Sequence, residues 1–152
     1  FEPVRLREVQ VLSSVRQTIH AVMAADHPLA GRDTIRLRDC AAFPVGLPMA
    51  QYGVRHLIDL ALMRSSVSLD MAIESDSFEF LRRYPRHERL VSFQIPVGLP
   101  ARPDEGIVTR PVDPRDVPEG MLYLCQLRGR TLPVAAAKFA AQIEFEIETG
   151  DA

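Results

Sequence analysis

Lysine is almost missing from this 152-residue chain: Lys138 is the only one, and arginine supplies the rest of the positive charge, as a GC-rich coding sequence would. A cationic excess is missing too. The formal net charge is −2, whereas a domain that grips nucleic acid by itself carries a clear positive surplus to neutralise phosphates. Cysteine is sparse. Cys40 and Cys125 are too few for a disulfide framework and lack metal-ligand spacing, which points to a reducing compartment. No run of about 18 apolar residues spans a membrane, and no signal peptide opens the chain, so the expected location is cytoplasmic. Repeats and low-complexity tracts are absent as well. What remains is ordinary globular composition: 47% hydrophobic and 25% charged, enough for one domain with a real core or two small lobes sharing one. The first residue is Phe1 rather than Met, which reads as a fragment or a processed piece.

The usual signatures of catalysis are missing in turn. There is no Gly-x-Ser-x-Gly elbow, no phosphate-cradling glycine loop and no dinucleotide fingerprint. His20, His27, His56 and His87 stand alone, none with a second ligand at metal-site spacing. Asp26, His27 and Ser75 form a triad only on paper, because a triad is defined by geometry. The expectation is a protein that is not an enzyme and takes no metal or cofactor.

Twelve prolines punctuate the sequence. Partial alternation predicts strands over 8–14 and 18–24, the second ending at the Asp26-His27-Pro28 turn. A connector or short helical turn covers 35–41, and Val45-Gly46-Leu47 reads as a buried strand. Val54, Leu57, Ile58, Ala61 and Leu62 recur with helical spacing, giving an amphipathic helix to Met63 with Arg55, Asp59 and Arg64 towards water. Met71 to Ile73 is a strand. Ser75, Asp76 and Ser77 offer cap oxygens to a helix through Phe78, Phe80 and Leu81 that Pro85 stops or kinks. Strands follow at 91–95, 107–112 and 121–127, with a polar loop over 100–105. A last helix starts at Pro133, with Val134, Ala137, Phe139, Ala140, Ile143 and Ile147 as its apolar side. The alternation argues for an α/β fold with a mostly parallel sheet.

In such folds ligands bind beyond the carboxyl ends of strands. That singles out the loop after Val45 to Leu47, the turn Glu74 to Ser77 and the strand end Gln94 to Pro96. Ser75 and Ser77 can cap the helix, bind an anion, or divide the two tasks. Arg82, Arg83, Arg86 and Arg89, interleaved with Glu79 and Glu88, read as a solvated helix end rather than an anion site.

The order His27-Pro28-Leu29-Ala30, Phe43-Pro44, Glu74-Ser75-x-Ser77, Ser92-Phe93-Gln94-Ile95-Pro96, Val108-x-Arg110-Pro111-Val112-Asp113 and Gly129-Arg130-x-Leu132-Pro133 resembles the effector-binding domain of LysR-type transcription regulators. The resemblance implies an α/β fold like that of type 2 periplasmic binding proteins, with two lobes. Residues 1–24 and 106–152 would form an incomplete first lobe and 25–105 the second. It implies a small-molecule effector, with carboxylates the candidate class, held in the interlobe cleft by Leu47, Met49, Ser75, Ser77 and Gln94. A homodimer or higher homo-oligomer is implied, with DNA contact only through an N-terminal winged helix-turn-helix that this sequence does not contain. A transport solute-binding protein of the same fold is the alternative. Departures are visible: Glu88 and Leu90 stand where the family commonly has glycines, Pro85 interrupts a helix that usually continues, and Leu47, Pro48 and Met49 are apolar where many members carry a hydroxyl.

Overall fold

The computed structural model describes residues 8–99 and 105–149. Two units divide the chain: Thr18–Glu119 forms one, and the stretches up to Gln17 and from Gly120 form the other. In the second of these, β1 (Val9–Gln17) pairs antiparallel with the last strand, Gly120–Leu127, and the register shifts between Val11 and Ser13.

The larger unit is a five-stranded sheet with short helices against it. Its strands are β2 (His20–Ala24), β3 (Pro44–Pro48), β4 (Asp70–Ser75), β5 (Val91–Gln94) and β6 (Ile107–Pro111), in the order β4-β3-β5-β2-β6. The last strand of the chain is therefore β7. The sheet is mixed. β3 runs parallel to β4 and β5, while β2 runs antiparallel to β5 and β6. The parallel part sits where helices make the crossovers that parallel strands require: α2 (Gly53–Met63) joins β3 to β4, and α3 (Phe78–Arg83) joins β4 to β5. A four-residue helix, α1 (Leu37–Cys40), precedes β3.

β2 has a partner on both edges, and its residues from Ala21 to Ala24 are buried. Phe93, Val91, Val45 and Ile58 join them in the core. β2 and β6, grouped with the first lobe on sequence grounds, hydrogen-bond into this sheet beside β5. Gly106 takes a φ of 77° in the turn before β6, a conformation that costs other residues strain, and its carbonyl accepts from the Ala25 N–H. Pro85 breaks α3 into a turn of 3-10 helix at Tyr84–Arg86, as its missing N–H requires. The predicted polar loop over 100–105 lies outside the described residues except for Glu105.

α4 (Val134–Thr149) occupies the expected helix, but its expected apolar side is only partly covered. Ala140 is buried, whereas Val134 and Phe139 stay exposed, and so does Phe145. A two-stranded sheet offers one helix little surface, which accounts for this. Among the described residues no helix is long and apolar enough to cross a membrane, and no three metal-ligating side chains gather.

Candidate functional site

The carboxyl ends of β3 and β4 lie side by side, because Leu47 pairs with Glu74 and Pro48 with Ser75. The chain then leaves β3 through Met49, whose N–H donates to the Ser75 carbonyl at 3.1 Å. This closes the two strand ends into one rim. Met49 presents its side chain to solvent there, and Ser75 is half-buried beside it.

Ser75 and Ser77 both do local work. The Ser75 Oγ accepts from the Ser77 N–H at 3.1 Å, and the Ser77 Oγ caps α3 by accepting from the Phe80 N–H at 3.1 Å. A hydroxyl that accepts still has its own proton to donate. Among the described residues neither serine gives that proton away, so both keep a donor for a ligand oxygen. Leu47 does not join the rim surface. It is buried in the sheet core, where it can shape the wall only from behind.

Gln94 ends β5 and is 1% exposed. Its Nε2 donates to the Phe78 carbonyl in the first turn of α3. A carbonyl can only accept, so this contact fixes which way the amide points. The other end, Oε1, is then buried with no partner among the described residues. Directly across the ladder stands His20, whose Nδ1 is likewise buried and unpartnered. Burial lowers the His20 pKa, favouring the neutral ring. Buried polar atoms without partners are uncommon, and the paired residues Gln94 and His20 carry one each at this strand end.

Arg55 is the residue that one-dimensional reading missed. Its place on α2 suggested a water-facing side chain, yet the side chain is only 14% exposed. The guanidinium donates to the Pro48 carbonyl at 3.1 Å and to the Glu74 and Asp59 carboxylates. It thereby ties the end of β3 to the end of β4. The i, i+4 spacing to Asp59 was the visible signal; the link to Glu74 crosses elements and left none. Tyr52 supports the same rim, donating to the Asp76 carbonyl at 3.3 Å and meeting Phe78 edge to face at 4.9 Å. Phe78 is half-buried in that contact.

The other candidates resolve as structural parts. Glu79 pairs with both Arg82 and Arg83, and Arg82 is buried rather than solvated. Cys40 is fully buried, which pushes its thiol up to about 12 and leaves it a core residue. Asp26, His27 and Ser75 make no hydrogen-bonded triad: the His27 Nδ1 accepts from the Leu29 N–H at 3.2 Å, and its ring lies 4.5 Å from Phe43.

No curated protein's sequence matches this one. Solved structures do. The chain is similar to HinK, a LysR family transcriptional regulator from Pseudomonas aeruginosa, with a TM-score of 0.69 and 18% identity over 97% of this chain and 51% of that one. It is similar to the CcmR regulatory domain of Synechocystis PCC6803 in complex with 2-PG, with a TM-score of 0.76 and 18% identity over 96% of this chain and 70% of that one. The effector-binding domain of QuiR in complex with shikimate gives 0.70 and 17%, over 94% and 68%. The chain spans about half the length of the longer regulators it matches. Identities this low speak for the fold alone, and that fold is the α/β type, with mixed sheets and flanking helices, shared with type 2 periplasmic binding proteins. The family model for the LysR substrate binding domain matches residues 1–146, nearly the whole sequence, and the chain belongs to that family.

Proposed function

We propose that this chain senses a small carboxylate for a LysR-type transcription regulator of which it is one part, acting in the cytoplasm without catalysis. The observation that carries the site is the rim at the carboxyl ends of β3, β4 and β5. Ser75 and Ser77 offer two hydroxyl donors suited to a carboxylate. The buried Gln94 Oε1 accepts from a donor on the same ligand, such as a hydroxyl or an ammonium group. Met49 supplies an apolar wall. In this reading the rim is the second-lobe side of an interlobe cleft, which the family resemblance supports. Shikimate bound to QuiR and 2-PG bound to CcmR support small effectors as the ligand class. Several of the similar structures are named as LysR family transcriptional regulators, which favours sensing over transport.

Binding regulates only through a difference in affinity between conformations. The proposed readout is a change in how homo-oligomeric copies are arranged, passed to a DNA-binding domain elsewhere in the regulator. A thermal-shift screen of hydroxy-carboxylates, amino acids and aromatic acids tests this, since a native-state ligand raises the melting point by mass action. A hit should lose roughly tenfold or more in affinity in Ser75→Ala, the worth of one hydrogen bond to a charged group at about 1.5–3 kcal/mol. A hit whose affinity is the same in Ser75→Ala and Gln94→Leu would move the pocket elsewhere.

A further inference from the structure

At the opposite, amino ends of β3 and β4 the molecule holds a cavity of about 580 Å3. It lies wholly within the unit Thr18–Glu119, between the start of α1, the exit of α2 and the turn 113–118. Its size falls in the range of about 300–1,000 Å3 typical of small-molecule sites. Its lining is unusual for a chain of net charge −2. Arg36, Arg38, Arg64 and Arg115 converge on it, and the one acid in the lining is Asp116.

The four guanidinium groups fall into two pairs. Arg36 and Arg115 are held in place. Arg36 binds Asp116 through Nε at 2.8 Å and Nη2 at 2.6 Å, and Arg115 binds Asp113 through Nε and Nη2, the latter at 2.6 Å. In both, one fork edge is spent and the Nη1 group remains with its donors. Arg38 and Arg64 make no ion pair among the described residues, and both are exposed. Counting Asp113 and Asp116 against the four arginines leaves a surplus of two positive charges around one concavity. Ser66 adds a hydroxyl beside Arg64 in the same lining. Fixed and free cations around a hollow of this volume raise the local potential and suit a ligand that carries at least two negative charges.

We propose that this cavity is a second ligand site, for a small organic or inorganic polyanion such as a phosphate ester or a polycarboxylate. Arg36 and Arg115 are its carboxylate-held cations, and Arg38 and Arg64 close on the ligand. The site is separate from the serine rim, which lies at the other end of the same strands. A regulator with both would read two metabolites.

Calorimetric titration of the protein with inorganic pyrophosphate, tripolyphosphate and citrate at constant ionic strength tests the proposal. Saturable binding of one ion per chain is expected, tighter for tripolyphosphate than for citrate or chloride. The double variant Arg38→Gln, Arg64→Gln should weaken it at least tenfold and leave the ligand-free melting point unchanged, because neither side chain makes an ion pair among the described residues. Ser75→Ala should bind tripolyphosphate as the unaltered protein does. Equal affinity in the double variant overturns the proposal, as does loss of binding in Ser75→Ala or a Kd weaker than about 1 mM. Duplex DNA that binds this face more tightly than tripolyphosphate, with a steep salt dependence, would also overturn it in favour of a nucleic-acid contact.

Discussion

Asp113 and Asp116 anchor the 113–118 turn, and their acidity is set by the arginines they hold. Arg115 keeps Asp113 well below the usual carboxylate range, and the hydrogen bond from Arg36 lowers Asp116 in the same way. A carboxyl with a folded pKa below its unfolded value of about 4 stabilises the fold above that value. The contribution is lost as pH falls through the folded pKa. Circular-dichroism melts across the acid range should therefore show stability falling below about pH 4, with a shallower slope in Asp113→Asn, Asp116→Asn. An equally steep acid limb in that variant would remove these groups as its cause. His20 and His27 follow the opposite chemistry with the same sign. Burial lowers both, helped at His27 by Arg89 and partly offset by Asp26. Their stabilising contribution is complete above the unfolded value of about 6.5 and fades as pH drops below it. Proton NMR should find both imidazoles titrating below about 6.5; a midpoint above it at either ring would contradict the burial. Ser77→Ala removes the cap of α3 and should cost about 1 kcal/mol in urea unfolding. Residue identity at the rim was legible in part. Ser75 and Ser77 declared themselves by preceding a helix, and Gln94 by ending a strand. That Leu47 is buried and Arg55 clamps Glu74 depends on contacts between elements, which spacing along the chain does not encode.

Secondary elements were easier to read than their partners. α2 follows its five-residue apolar stripe, with Val54, Ile58 and Ala61 buried as the 3.6 period requires. β3 is short and apolar, and it lies buried between two parallel neighbours. Which sheet a strand joins is another matter. Periodicity gives β2 and β6 a type but not a neighbour, and only the ladder reveals them next to β5. α4 shows the converse limit: helical spacing marks an apolar side, yet apolar character alone does not decide exposure. Gly46 is the sharpest test at this scale. An added Cβ there would sit 3.1 Å from Leu90 Cδ2 and 3.2 Å from Leu81 Cδ2. Both neighbours are buried, so Gly46→Ala should destabilise by about 1–3 kcal/mol, the usual cost of overpacking. Denaturant midpoints measure it, and a neutral variant would mean that α3 and β5 yield more readily than a packed core should.

Across the whole molecule, stability is expected to be uneven. The five-stranded sheet buries all of β5 and Ala21 to Ala24 of the neighbouring β2, whereas β1 and β7 form a ladder of two with Val11, Tyr123 and Leu127 exposed. Two-stranded ladders are marginal in water. Hydrogen exchange should therefore release the β1 and β7 amides well before those of β2 and β5. Uniform protection would show that the smaller ladder is buttressed as firmly as the larger sheet. The larger sheet also contains a feature with a practical use. Ser92 donates to the Leu81 carbonyl at 2.6 Å, and Gln94 donates to that of Phe78. α3 thus hangs from β5 by two side-chain hooks, Ser92 and Gln94, on carbonyls three residues apart, with the exposed Arg83 at its far end. A guest that draws the Gln94 amide aside would tilt the helix like a pointer on a dial. A dye attached at position 83 would turn that tilt into light, and the domain into the working part of an optical biosensor.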